Sequence, residues 1–117
     1  MKETQLQRAI LDYLEIMENQ DKCYCFRAGA GMIKTQTGGI FKTGRAGCPD
    51  IICCINGKFV GFEVKTPSGK QIPSQKEAEA VIRKNGGEYH VVRSIDDIMN
   101  YFETKTNKDL LEPYKVK

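Results

Sequence analysis

Asp50, Glu63 and Lys65 have the residue types and spacing to hold a metal ion beside a reacting phosphate. They lie on two strand-like runs, Asp50 to Ile55 and Lys58 to Lys65, separated by Asn56-Gly57, a strong short-range signal for a type I′ hairpin. Such a turn pairs Ile55 with Lys58, and counting outward sets Asp50 opposite Glu63. Cross-strand partners share a face, so the two carboxylates have Cβ atoms roughly 4.5 to 5.5 Å apart and repel unless a cation sits between them. Lys65 projects from that face, while Val60, Phe62 and Val64 alternate onto the core side. An all-oxygen pair suits Mg²⁺ or Mn²⁺. A lysine beside such an ion can orient the attacking water, assist its deprotonation or stabilise charge on the phosphate. Taken singly, the same residues fit a surface salt bridge of Lys65 with either acid.

The flanking elements follow from periodicity and turn residues. Leu6, Ile10, Tyr13, Leu14 and Met17 recur at helical spacing and predict a helix from about Glu3 to Met17. Cys23 to Ala28 forms a short strand pattern. A glycine-rich loop follows, with a short hairpin around Gly38-Gly39, and its glycines fit either close approach to a ligand or plain turn geometry. Beyond the main hairpin, Thr66 to Pro73 is a loop, and Ser74 to Glu77 matches a capping box for a second helix reaching about Lys84. Gly86-Gly87 ends that helix, Tyr89 to Val92 is a strand, and Ser94 with Asp97 opens a third helix carrying Ile95, Ile98, Met99 and Phe102. A strand after a crossover helix runs parallel to one of the hairpin strands. The order predicts an α/β fold, a mixed sheet flanked by helices in a single domain over residues 1–103, with 104–117 as a polar tail.

Composition sets the class. An apolar share of 40% with 28% charged residues belongs to an ordinary globular domain. The longest apolar run is Ile51 to Ile55 and no signal-peptide stretch opens the chain, so a cytoplasmic protein without a membrane partner is expected. No motif for a small organic cofactor is present. Eighteen basic against fifteen acidic residues leave only +3, but from Lys22 to Pro49 there are five basic residues and no acid. Arg27, Lys34, Lys42 and Arg45 in that stretch, with Lys70 further on, are candidates for DNA phosphate contacts; a solvated basic loop is the other explanation. The five cysteines form no C-x-x-C pair, and Cys53 and Cys54 sit in the apolar run, so neither disulfide nor zinc site is expected. His90, the only histidine, is expected to pack in the core.

Gly47-Cys48-Pro49-Asp50, followed after twelve residues by Glu63-Val64-Lys65, resembles the PD-(D/E)xK nuclease signature. The surroundings resemble the virus-type replication-repair nuclease (VRR-NUC) family over Glu3 to about Asp97, including Gly61 to Lys65, Ser74 and Gln75 at a helix start, and Gly86-Gly87 before Tyr89 to Val92. The resemblance implies a restriction-endonuclease-like fold. It also implies a divalent metal held by Asp50, Glu63 and the Val64 carbonyl, with Lys65 as the catalytic lysine and Gln75 supporting the site. Glu3 stays open between a metal ligand and a helix-dipole partner, and Gln75 by itself would be an exposed helix residue. A short free-standing chain is similar to phage or prophage members, which implies a DNA endonuclease acting on branched substrates such as four-way junctions. Paired incision then implies a homodimer, with Ile33, Ile40 and Phe41 as candidate interface residues. The alternatives are a non-catalytic nucleic-acid-binding module of the same fold and an RNA-cleaving nuclease.

Overall fold

The apolar periodicities resolve into helices and strands in the computed structural model, which describes residues 2–29 and 31–111, with backbone alone at 31–33, 41–43 and 106–111. In chain order these are α1 (Glu3–Asn19), β1 (Tyr24–Arg27), β2 (Gly31–Lys34), β3 (Ile40–Thr43), β4 (Ile51–Ile55), β5 (Lys58–Val64), α2 (Pro73–Lys84), β6 (Glu88–Val92) and α3 (Ile95–Leu111). Asn56 and Gly57 both take positive φ, 53° and 77°, as a type I′ turn requires. Ile55 pairs with Lys58 and Ile51 with Phe62, the register the turn predicts, and its extension sets Asp50 opposite Glu63. The strand β1 adds antiparallel to β4 and β6 adds parallel to β5, giving a mixed sheet ordered β1-β4-β5-β6, while β2 and β3 form a separate antiparallel ribbon.

Strand parity divides the sheet into two faces. Ile51, Cys53, Ile55, Val60, Phe62, Val64 and Val92 pack with Leu6, Ile10 and Leu14 of α1 and Ile98 and Phe102 of α3 into one buried core. Tyr13 meets Phe102 edge to face, which joins the two helices. The other face carries Glu63 and Tyr89 and is covered by α2, so β5 is buried at five successive positions, Val60 to Val64. No helix among the described residues is long and apolar enough to cross a membrane.

Several expectations change once long-range contacts are formed. Ser74 does not cap the second helix: Pro73, whose φ is fixed near the helical value, opens α2, and Gln75 Oε1 accepts the Ile72 N–H at 3.0 Å. The third helix continues to Leu111, so residues 104–111 are helical rather than a tail, and 112–117 lie outside the described residues. Part of the reason is Lys105, which bonds Glu88 Oε2 at 3.3 Å and lies over the Tyr101 ring. Cys25 and Cys53, cross-strand partners in the β1–β4 ladder, are joined as a disulfide, against the expectation of none. Their sequence separation of 28 conceals that adjacency. Cys54 has the opposite parity and is exposed rather than buried. His90 is not a core residue: it stands on the edge strand, 2.8 Å from Glu88 Oε1 and beside Tyr101.

Two glycines let the loop before β4 lie close to its neighbours. A Cβ on Gly61 would stand 2.4 Å from Pro49 Cγ, and one on Gly47, whose φ is +80°, would stand 2.0 Å from the Ser74 carbonyl oxygen. Gly47 thereby seats the Gly47-to-Asp50 segment on the first turn of α2. Gly47→Ala should destabilise the fold by about 2 kcal/mol or more, combining left-handed strain with a backbone clash. Gly38→Ala should cost less, since Gly38 has φ +89° but open space around it. Urea denaturation of the two variants compares them, and equal losses would mean that the close approach contributes nothing.

Candidate active site

Asp50 and Glu63 reach their places from the open end of the β4–β5 hairpin. Asp50 Oδ2 accepts the Val64 N–H at 2.8 Å, which locks the aspartate across the ladder from Glu63. Glu63 is 1% exposed. One of its oxygens accepts the Gln75 side-chain N–H at 2.9 Å and the other the Tyr89 hydroxyl at 3.4 Å. Lys65 Nζ stands 3.6 Å from Glu63 Oε2, and both side chains are shielded, at 11% and 2% exposure, so this is no surface salt bridge. Gln75 works in two directions, its Oε1 holding the Ile72 N–H and its Nε2 holding Glu63, which fixes α2 to the carboxylate through one amide.

Burial first and the neighbouring Asp50 second raise the Glu63 carboxyl, Lys65 and Tyr89 only partly offset this, and the net result is about 8. Without a cation the site therefore holds a proton at neutral pH. Burial also pushes the Tyr89 hydroxyl above its ordinary range; a hydrogen bond with Gln71 partly offsets this and Glu63 adds to the rise, so Tyr89 remains a donor. A divalent cation fits these groups: the donors are hard oxygens, two carboxylates confront each other, and one is kept neutral only by a proton that a cation can replace.

Asp50, Glu63, Lys65 and Gln75 are thus brought together. Val64 contributes its N–H to Asp50, the part of that residue whose role is visible. Glu3 is exposed in the first turn of α1 with no bond to either carboxylate, and among the described residues no group of three His, Cys, Asp or Glu gathers at a metal-holding point. Of the candidate phosphate contacts, Arg45 walls a groove on the Glu63 face, whereas Arg27 lies on the opposite face in a shallow groove with Arg8 and Asp12. Lys34 and Lys70 are exposed, and the Lys42 side chain lies outside the described residues.

Two contributors escape sequence inspection. Tyr89 sits in an apolar strand pattern, and only the parallel pairing of Gly61 with Tyr89 brings its hydroxyl to Glu63. Arg93 donates to the carbonyls of Thr66, Pro67 and Gly69, at 2.8, 3.4 and 2.6 Å, and so clamps the loop that leads from Lys65 to Gln75. No local motif marks either residue. Comparison with protein-family models, curated proteins and solved structures finds no match.

A carboxyl raised from 4.5 to about 8 stabilises the metal-free fold fully below pH 4.5 and loses that contribution as pH rises toward 8. In EDTA the thermal midpoint should therefore fall across that window, and Glu63→Gln, which keeps a neutral hydrogen-bonding group, should flatten the fall. Differential scanning calorimetry at several pH values reads this out. Parallel curves for the two proteins would show that Glu63 does not carry the buried proton.

Proposed function

We propose that the chain is a metal-dependent DNA endonuclease of the PD-(D/E)xK type, with a restriction-endonuclease-like fold and VRR-NUC character. The convergence of Asp50, Glu63, Lys65 and Gln75 at one end of the hairpin, with Lys65 Nζ 3.6 Å from a buried carboxylate, carries this proposal. Asp50 and Glu63 would hold Mg²⁺ or Mn²⁺, with the Val64 carbonyl as a further ligand. When bound, a divalent cation supplies positive charge that polarises the phosphoryl group and promotes deprotonation of the attacking water. Lys65 is placed to orient that water, take its proton or stabilise the charge that develops on the phosphate. Gln75 and Tyr89 keep Glu63 aimed, while burial excludes bulk water and strengthens each of these interactions.

Branched DNA such as a four-way junction is the proposed substrate. One chain supplies one such centre, so paired incision extends the proposal to a two-fold dimer. Ile40 on the β2–β3 ribbon is 67% exposed and available for such a contact. The side chains of Ile33 and Phe41 lie outside the described residues.

Incubation with linear duplex, flap, four-way junction and RNA, each with Mg²⁺, Mn²⁺ or EDTA, tests the proposal. Asp50→Ala and Glu63→Ala should abolish cleavage. Lys65→Ala should lower kcat by ~10²- to 10⁴-fold while DNA binding persists, and Lys65→Arg should not restore the rate, because a planar guanidinium does not deprotonate readily. Binding without cleavage in every metal would leave a nucleic-acid-binding module, and cleavage of RNA alone would reassign the substrate.

A further inference from the structure

On the Glu63 face of the sheet, a groove of about 630 Å³ runs between β1, β4 and α2, walled chiefly by Phe26, Pro49, Ile52, Phe59, Val81 and Arg45. Phe26, Phe59 and Val81 are 49%, 41% and 47% exposed, an open cluster of large apolar side chains around one cavity. Arg45 is the sole charged residue of the wall and makes no ion pair among the described residues. No acid lines the groove, and none occurs between Lys22 and Pro49.

We propose that this groove takes one unstacked nucleobase of the DNA strand whose phosphate lies at Asp50 and Glu63. This rests on the nuclease proposal and narrows its substrate to DNA with an unpaired nucleotide next to the scissile bond. Continuity with the site supports it first: Pro49 is both a wall of the groove and the residue before Asp50, and its ring is pressed onto Gly61. The groove wall therefore reaches to within one residue of Asp50 along the chain, on the sheet face that carries Glu63. Charge and shape support it next. A nucleotide combines flat apolar faces with an adjacent anion, and the groove combines aromatic and aliphatic walls with one guanidinium, the combination by which single strands are held without sequence readout. An apolar peptide would cover Arg45 without supplying a counter-charge, which is unfavourable. A base within a continuous duplex cannot enter unless it is extruded, and extrusion costs least where the nucleotide is already unpaired.

The test uses the full chain carrying Lys65→Ala in Mg²⁺, which slows cutting while DNA binding persists, and a DNA probe with 2-aminopurine at the unpaired nucleotide flanking a junction. Its fluorescence should change on saturation, whereas the same reporter inside continuous duplex should not respond. A Phe26→Ala/Phe59→Ala protein, checked for native circular dichroism, should bind the unpaired probe about tenfold more weakly, the scale of losing a stacked base, with duplex binding unchanged. Val81→Glu, which adds an anion to the wall from an exposed helix position, should weaken the same probe and serves if the double variant does not fold. A silent reporter, or equal weakening of both probes, overturns the inference. So does a change in sedimentation from dimer to monomer with binding intact, which would make the groove a self-association face. Failure of the nuclease proposal is seen separately, as absence of cleavage by the unaltered protein in Mg²⁺ and Mn²⁺.

Discussion

A carboxylate at 1% exposure next to a second carboxylate is the constraint around which this structure is arranged. An unpaired buried charge is far more costly than a surface one, and a like charge alongside raises the cost again. The fold meets it with what surrounds Glu63: an amide from Gln75, a phenol from Tyr89, the ammonium of Lys65 and, without a cation, a proton. Each comes from a different part of the chain. The position of α2, the parallel placement of β6 and the end of β5 are therefore all tied to one side chain.

The supporting contacts can be traced outward from there. Gly47 lies against the first turn of α2 and Pro49 against Gly61, so the strand entry that carries Asp50 is seated on the helix that carries Gln75. Arg93, just past β6, holds three carbonyls of the loop between Lys65 and α2. Hydrogen bonds from a charged donor to backbone acceptors contribute roughly 1.5–3 kcal/mol each, enough to fix a loop that has little apolar anchoring of its own. Gln71 bonds Glu79, and Glu79 pairs with Arg83, whose guanidinium in turn bonds the Tyr89 carbonyl. A polar network thus continues along the face of α2 that meets the sheet.

Division of labour between the two sheet faces follows from strand parity. One face, with α1 and α3, is an aliphatic and aromatic core that supplies folding free energy through burial. The other face, under α2, holds the polar centre at one end and leaves Phe26, Phe59 and Val81 partly open at the other. Because α2 does not extend over β1, that second face is covered where Glu63 needs shielding and open where the groove begins.

Local chemistry in the sequence determined the β4–β5 hairpin, its register and hence the opposition of Asp50 and Glu63, because Asn56-Gly57 fixes a turn and side-chain alternation then fixes the faces. It also determined the helix periodicities, the Gly86 stop and the Ser94–Asp97 cap, which depend on neighbours within a turn or two. Lys65 was legible as a member of a site through its spacing from those carboxylates, and Gln75 only through the resemblance to the nuclease family. Tertiary structure alone decided that Glu63 is buried, since alternation separates faces but does not say that α2 covers the second one. It decided the Tyr89 and Arg93 contacts, 26 residues from Glu63 and 27 from Thr66, and the Cys25–Cys53 bridge, 28 residues apart. It placed Arg27 on the face away from the carboxylates and kept α3 helical past residue 104, where Lys105 meets Glu88. These all rest on contacts between residues distant in the chain, whose proximity is created by sheet order and helix packing and leaves no trace in local residue patterns.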